Sequence, residues 1–173
     1  MRRVIISLTV LLAALFLSNL SSNAQEPQKP GKEHEELAKM EGAWDAVVKM
    51  SDGSESKAVA EYKMACEGMW LASSFVGEIS GQKFSGRGLD GYDPVKKEYS
   101  GVWCDSMTAT PLMLTGTKDA SGKVLTMTGD GGGMKFKAVT TEVSADKQIF
   151  KRSMDLPTGE VEMMTITYTR RKK

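Results

Sequence analysis

The feature that most constrains the fold of this 173-residue chain is a regular succession of short strand-like runs between Gly42 and Arg170. Turn residues interrupt these runs every ~8–14 residues, and no apolar pattern of helix length lies between them. This rhythm is typical of antiparallel sandwiches and barrels. The ten predicted strands are Trp44–Met50, Ala58–Ala65, Met69–Ile79, Lys83–Tyr92, Lys97–Met107, Pro111–Thr117, Val124–Thr128, Met134–Val143, Gln148–Met154 and Val161–Arg170.

The connections between these strands are short, so neighbours in sequence are expected to pair as hairpins. A meander of ten strands exposes two open edges unless the first and last strands meet. We therefore predict an all-β fold, a ten-stranded antiparallel up-and-down barrel that occupies residues 32–173 as a single domain. A barrel of this size has room for a ligand.

One short helix is predicted ahead of the first strand, over Lys32–Met40. Leu37 and Met40 share one face of that helix, and Glu35 and Lys39 form an i,i+4 pair. We expect the helix to pack on the barrel as a short plug or lid. The polar, proline-containing segment 25–31 before it is predicted to be a linker.

Residues 1–24 have the pattern of an export signal. Two arginines precede the apolar run Val4–Leu17, and Ser22-Asn23-Ala24 supplies the small residues that a signal peptidase requires. The mature chain is then expected to begin at Gln25, in the periplasm or outside the cell, without a stable membrane span. A retained membrane anchor is the alternative, although the apolar run is short for a span of about 20 residues.

The charge of the mature chain is close to balanced. Removing the two signal arginines from 23 basic residues leaves 21, against 22 acidic residues, for a net charge of −1. This balance argues against nucleic acid or an anionic membrane as a partner. The basic C-terminal tail that begins at Arg170 is interpreted as a solvated end.

The two cysteines, Cys66 and Cys104, are predicted to be free thiols. In a simple meander three strand spacings separate them, or about 14 Å. A disulfide tolerates at most about 7 Å between Cα atoms, so only a contact across a narrow lumen would allow the bond.

Several short motifs of the chain resemble those of known barrels. Gly42-Ala43-Trp44 follows a short helix and opens the first strand, which resembles the Gly-x-Trp entry of the calycin superfamily, the lipocalin-like barrels. Together with Leu37, Gly91-Tyr92-Asp93 and Asp105-Ser106, it is similar to an exported bacterial family catalogued as domain of unknown function 1579. The likeness extends from Glu33 to Arg170. It implies a calycin-like barrel and no established activity.

The same resemblance bears on two further points. Many calycins place an arginine of the last strand across the Gly-x-Trp ring, and Arg170 is the matching residue for Trp44. Calycin-like barrels of the nitrobindin type hold haem through a histidine on a late strand. The single histidine here, His34, lies in the predicted helix, so no haem is expected by that mode, and no cofactor is predicted.

Two motif-like stretches lack the context that their chemistry requires. Gly86 to Gly91 spells G-x-G-x-x-G, but no helix follows it, so it is interpreted as a strand with glycines at a bend or a close approach. Ser54 to Lys57 spells S-x-x-K without the partner motifs of penicillin-recognising enzymes. One histidine and two separated cysteines cannot form a zinc site. We therefore predict no catalytic and no metal-binding residues.

Alternation along the strands predicts which side chains line the lumen. The predicted ligand-binding residues are Trp44, Tyr62, Trp103, Asp105, Met113 and Phe136. Asp105 shares a face with Tyr99 and Trp103, so it is either a carboxylate inside an apolar barrel or an ordinary exposed aspartate.

The favoured function is a binding protein whose barrel holds a small apolar or amphipathic ligand. The alternative is a structural or interaction module with a filled interior. An enzyme is less favoured, because the sequence contains no recognisable nucleophile–base pair.

Overall fold

The computed structural model describes residues 28–172. The predicted export signal and the start of the predicted linker lie outside this range. The described elements are helix α1 (Lys32–Ala38), a single 3-10 turn (Cys66–Gly68), and strands β1 (Gly42–Met50), β2 (Glu55–Ala65), β3 (Trp70–Ile79), β4 (Gln82–Asp93), β5 (Glu98–Asp105), β6 (Leu112–Lys118), β7 (Val124–Gly131), β8 (Met134–Ser144), β9 (Lys147–Leu156) and β10 (Gly159–Arg170).

The ten strands form one closed antiparallel barrel in which each strand pairs with its neighbours in sequence. β1 and β10 close the ring, in a register that runs from Trp44 opposite Arg170 to Met50 opposite Met164. Every strand therefore has two hydrogen-bonded neighbours, and the sheet has no open edge. The predicted all-β barrel with a short N-terminal helix is confirmed.

The interior is filled on one side of the barrel. Successive side chains of a strand point to opposite faces, and on β1 the inward residues Trp44, Ala46 and Val48 are at most 1 % exposed. Small side chains on the neighbouring strand, Ala58 and Ala60, leave room for larger ones. Aromatic rings from β3, β4 and β10 occupy this space: Phe75, Phe84 and Tyr168.

Helix α1 packs across one end of the barrel, which we call the helix end. Leu37 is buried against Leu71, Tyr99 and Met127, as its apolar face predicts. The imidazole of His34 is also buried, and its Nδ1 accepts a hydrogen bond from the Gly31 amide at 3.0 Å.

The helix ends earlier than the sequence predicts. It stops at Ala38, and Lys39 is its C-cap. The predicted Glu35–Lys39 pair is therefore wrong, because Lys39 instead contacts Glu36, with 2.7 Å between Nζ and Oε1. Within residues 28–172, no helix is long and apolar enough to cross a membrane.

Arg170 joins the two ends of the chain. Its guanidinium carbon lies 4.2 Å from the centroid of the Trp44 ring, as the resemblance to calycins implies. It also donates hydrogen bonds to the carbonyl oxygens of Lys39 and Glu41, both at 2.6 Å. One side chain of the last strand thus fixes the segment that links α1 to β1.

We expect Arg170→Ala to lower the free energy of unfolding by about 2–4 kcal/mol, because it removes a cation–π contact and charged hydrogen bonds together. The emission of Trp44 should change as well. Urea unfolding followed by tryptophan fluorescence and by circular dichroism measures both effects.

The neighbouring substitution Arg171→Ala provides the matched control. Arg171 is exposed and pairs with Asp45 on the outer surface at 2.6 Å, so its loss should cost less than about 1 kcal/mol. Equal losses from the two variants would show that Arg170 has no special part in closing the barrel.

Candidate functional site

A cavity of about 510 Å³ occupies the side of the barrel that the core leaves open. Its wall is mainly aromatic and aliphatic. The principal apolar lining residues are Tyr62, Leu71, Phe75, Phe84, Tyr99, Trp103, Leu112, Leu114, Leu125, Met127, Phe136, Phe150, Met164, Ile166 and Tyr168. At the helix end the lining becomes charged, where Lys118, Lys123 and Glu142 lie beside α1.

Three of the six predicted ligand-binding residues line this cavity: Tyr62 on β2, Trp103 on β5 and Phe136 on β8. Trp103 and Phe136 lie towards the barrel end opposite α1, because β5 finishes and β8 begins at that end. The structure therefore brings together two aromatic side chains that are more than thirty residues apart in sequence.

Trp44 does not line the cavity. It is fully buried in the filled side of the barrel, covered by Arg170. Its indole Nε1 donates a hydrogen bond to the carbonyl oxygen of Met40 at 2.9 Å. Trp44 is therefore a core residue of the closure between β1 and β10.

Met113 does not line the cavity either. Its side chain lies on the outer face of β6 and is 60 % exposed, while its neighbours Leu112 and Leu114 point inward. The prediction had the wrong parity for β6. Leu112 lies opposite Trp103 of β5, which lines the cavity, so the inward face of β6 is the one that carries Leu112 and Leu114.

Asp105 lies at the end of β5, at the rim of the barrel. Its Oδ2 accepts a hydrogen bond from the indole of Trp103 at 3.0 Å, and its Oδ1 accepts bonds from the amides of Met107 and Thr108. These bonds orient the Trp103 ring and the turn after β5. Asp105 is not part of the cavity wall, which corrects its predicted role as the polar group of the lumen.

Gly86 explains how the Trp103 ring fits against the sheet. A Cβ atom on Gly86 would lie 2.1 Å from Cζ2 of Trp103, which no side chain can tolerate. Farther along β4, Gly91 lies under the ring of Trp70 on the outer face in the same way. The G-x-G-x-x-G stretch therefore provides close approach for two tryptophans, in a strand that no helix follows.

Asp90 contributes a carboxyl group to the cavity wall that was not among the residues predicted from the sequence. Asp90 lies on the inward face of β4, between Leu71 of β3 and Gly101 of β5. A Cβ atom on Gly101 would lie 2.3 Å from Oδ1 of Asp90, so the glycine makes room for the carboxyl group. Its alternation with Phe84 along β4 is the sequence signal that could have identified it.

Burial raises the pKa of Asp90 from 3.8 to about 7. No cation or hydrogen-bond donor within residues 28–172 counteracts this shift. Burial raises the pKa of the Tyr62 phenol, and the negative charge of nearby Asp90 raises it further. The Tyr168 phenol lies close enough to Tyr62 that each affects the pKa of the other, and the two hydroxyl groups form a polar corner beside Asp90.

Arg152 supplies a cation to the wall from β9, on the opposite side of the barrel from Asp90. Its guanidinium carbon lies 4.3 Å from the centroid of the Phe136 ring. Burial lowers the pKa of Arg152, and the negative charge of Asp105 opposes this effect. Among residues 28–172, Arg152 has no carboxylate partner within ion-pair distance, whereas Arg170 pairs with Asp146 at 3.4 Å.

The two cysteines of the described chain do not line the cavity. Cys66 and Cys104 are both exposed and free. Within residues 28–172, no group of three or more His, Cys, Asp or Glu side chains could hold a metal ion.

We expect Asp90→Asn to stabilise the protein relative to wild type at pH 8 more than at pH 4. The folded state binds an extra proton between pH 3.8 and about 7. The contribution of the Asp90 carboxyl group to the free energy of unfolding is therefore fully present below about pH 4 and is lost as the pH rises through 7. Asparagine does not ionise, so the variant avoids a loss of about 1–4 kcal/mol in the free energy of unfolding at high pH. Urea unfolding of both proteins at both pH values measures this difference.

Asp155→Asn is the control for this experiment, because Asp155 is exposed on the outer face of β9 and water solvates it in both states. Its effect should be the same at the two pH values. A pH-independent effect of Asp90→Asn would contradict the proposed burial of the carboxyl group.

Solved structures of other barrels are similar to this one. An S-type phycobiliprotein lyase, CPES from Guillardia theta, superposes with a TM-score of 0.61 at 9 % identity, over 82 % of this chain and 93 % of that one. A de novo designed fluorescence-activating beta barrel gives 0.47 at 17 % identity, over 78 % and 97 %. A redesigned barrel bound to DFHBI, mFAP0, gives 0.44 at 16 % identity, over 76 % and 99 %. At 9 % identity, the likeness to the lyase shows the fold alone.

No curated protein matches the sequence. The profile of one family matches residues 29–170, nearly all of the described chain. That match agrees with the resemblance found in the sequence motifs. The chain therefore belongs to the family described as protein of unknown function (DUF1579).

Proposed function

We propose that this protein binds a small apolar or amphipathic molecule inside its barrel. The observation that carries the proposal is the cavity of about 510 Å³. Pockets that enclose small ligands have volumes of about 300–1,000 Å³ and mostly apolar walls with a few polar groups. Both features are present here.

The chemistry of the wall supports an apolar ligand body. Aromatic and aliphatic side chains from eight strands, β3 to β10, face the cavity, and Tyr62 of β2 adds one more ring. Water next to such a wall has few partners, so an apolar molecule that displaces it gains free energy. Asp90, Arg152 and the Tyr62–Tyr168 pair supply the few polar contacts that would orient it.

The alternative of a barrel without a ligand predicts a solidly packed interior. The core formed by Trp44, Ala46 and Val48 fills one side only, and the opposite side retains the cavity. A binding protein therefore accounts for the interior better than a purely structural module does.

The lumen proposal is tested by two tryptophan substitutions at adjacent positions of β6. Leu114→Trp would place a large ring inside the cavity and should weaken binding of an apolar fluorescent probe at least about tenfold, by steric exclusion. Met113→Trp places the same ring on the exposed outer face and should change the affinity less than about twofold. Fluorescence titration and circular dichroism measure binding and folding.

Equal effects of the two substitutions would place the probe outside the barrel. Native mass spectrometry of protein purified from its own cell envelope provides the independent test, because it reports a retained ligand by mass. A bare protein that also fails to bind the probe would support the structural alternative.

We also propose that the protein acts outside the cytoplasm, in the periplasm or as a secreted protein. The support is the charged start, apolar run and small residues of the first 24 positions. Intact-mass measurement of the exported protein should show a chain that begins at Gln25. A mass that includes residues 1–24 would indicate a retained anchor instead.

A further inference from the structure

Arg152 is a cation on the cavity wall without a partner. In the described chain its side chain forms no ion pair, and the cavity borders it. Arg170, which also touches the cavity, is fully engaged by the carbonyl oxygens of Lys39 and Glu41 and by Asp146. Of the two arginines, Arg152 alone has donors available to a molecule in the lumen.

The contacts of Arg152 hold it in place without using its donors. The guanidinium lies over the Phe136 ring, with its Cζ 4.3 Å from the ring centroid. A cation–π contact uses no hydrogen bond of the guanidinium, so its N–H donors stay free. The arrangement therefore presents a fixed fork of donors inside an aromatic cavity.

Among residues 28–172, the acid that acts on this cation, Asp105, forms no ion pair with it. Asp105 is close enough to influence Arg152 electrostatically, but its oxygens accept bonds from the Trp103 indole and from two backbone amides. Asp90 lies on β4, five strands away around a ring of ten and therefore on the opposite wall. A buried charge without a partner is unfavourable, and a ligand anion would relieve that cost.

We propose that the molecule bound in the barrel is an amphipathic carboxylate whose carboxylate group pairs with Arg152 and whose apolar body lies along Trp103, Leu112 and Phe136. This inference rests on the proposed function and specifies the ligand class. A carboxylate matches the two parallel N–H donors of a guanidinium. The surrounding rings exclude water and strengthen the pair.

The test compares dansyl-labelled undecanoic acid with its methyl ester, which has the same apolar body without the charge. Wild-type protein should bind the acid at least about tenfold more tightly than the ester, as expected for charged hydrogen bonds. Arg152→Met, which keeps an unbranched apolar side chain, should weaken binding of the acid by that factor and leave the ester within about threefold.

Two matched controls locate the effect. Lys151→Met removes the neighbouring charge, which lies on the outer face of β9 and pairs with Glu162 at 2.9 Å, so both affinities should stay unchanged. Lys118→Met removes a lysine at the helix end of the cavity. Loss of the preference for the acid in Lys118→Met, and its retention in Arg152→Met, would overturn the inference.

The outcomes separate this inference from the proposed function. Equal binding of acid and ester by the wild type would reject the carboxylate and leave a neutral apolar ligand. Failure of the wild type to bind either probe would count against the lumen as a binding site altogether. The acid-to-ester ratio of the wild type needs no variant, so a folding defect in Arg152→Met, detected by circular dichroism, does not remove the test.

Discussion

Closure of the sheet between β1 and β10 is the constraint on which the rest of the structure depends. A strand without a neighbour exposes a row of unpaired backbone groups, and the register from Trp44–Arg170 to Met50–Met164 satisfies them. Arg170 adds a side-chain contact to the same seam and fixes the approach from α1. Helix, first strand and last strand are therefore stabilised together.

The cavity follows from the size of the ring. About eight strands enclose an interior that side chains can just fill, and additional strands widen it. In this barrel, large rings meet small alanines around β1 and β2 and fill that side. The remaining wall is left with apolar surface and a few polar groups facing empty space, among them the carboxyl group of Asp90 and the guanidinium group of Arg152. A site with these properties requires no special loop, because it is produced by the geometry of the barrel.

The sequence predicts the number and order of strands well, because turn chemistry and alternation are local properties. It predicts the faces less well. Leu112, Met113 and Leu114 are all apolar, so alternation cannot reveal which of them points inward; the register with β5 decides it. Alternation along β5 places Asp105 on the inward face. It lies at the end of the strand, however, where its oxygens accept hydrogen bonds from the Trp103 indole and from a backbone amide of the following turn. The filled surroundings of Trp44 depend on packing between distant strands, which no local pattern encodes, whereas the inward position of Asp90 follows from its alternation with Phe84 along β4.

The tryptophan rings that the two glycines of β4 accommodate have a consequence for the fluorescence of the protein. The chain has three tryptophans, and the barrel places them in three different environments. Trp44 is sealed in the core, Trp70 lies partly exposed on the outer wall, and Trp103 borders the cavity with its indole bonded to Asp105. A molecule that enters the barrel touches the indole of Trp103 alone among these, so the protein carries an intrinsic fluorophore that reports occupancy of its own interior.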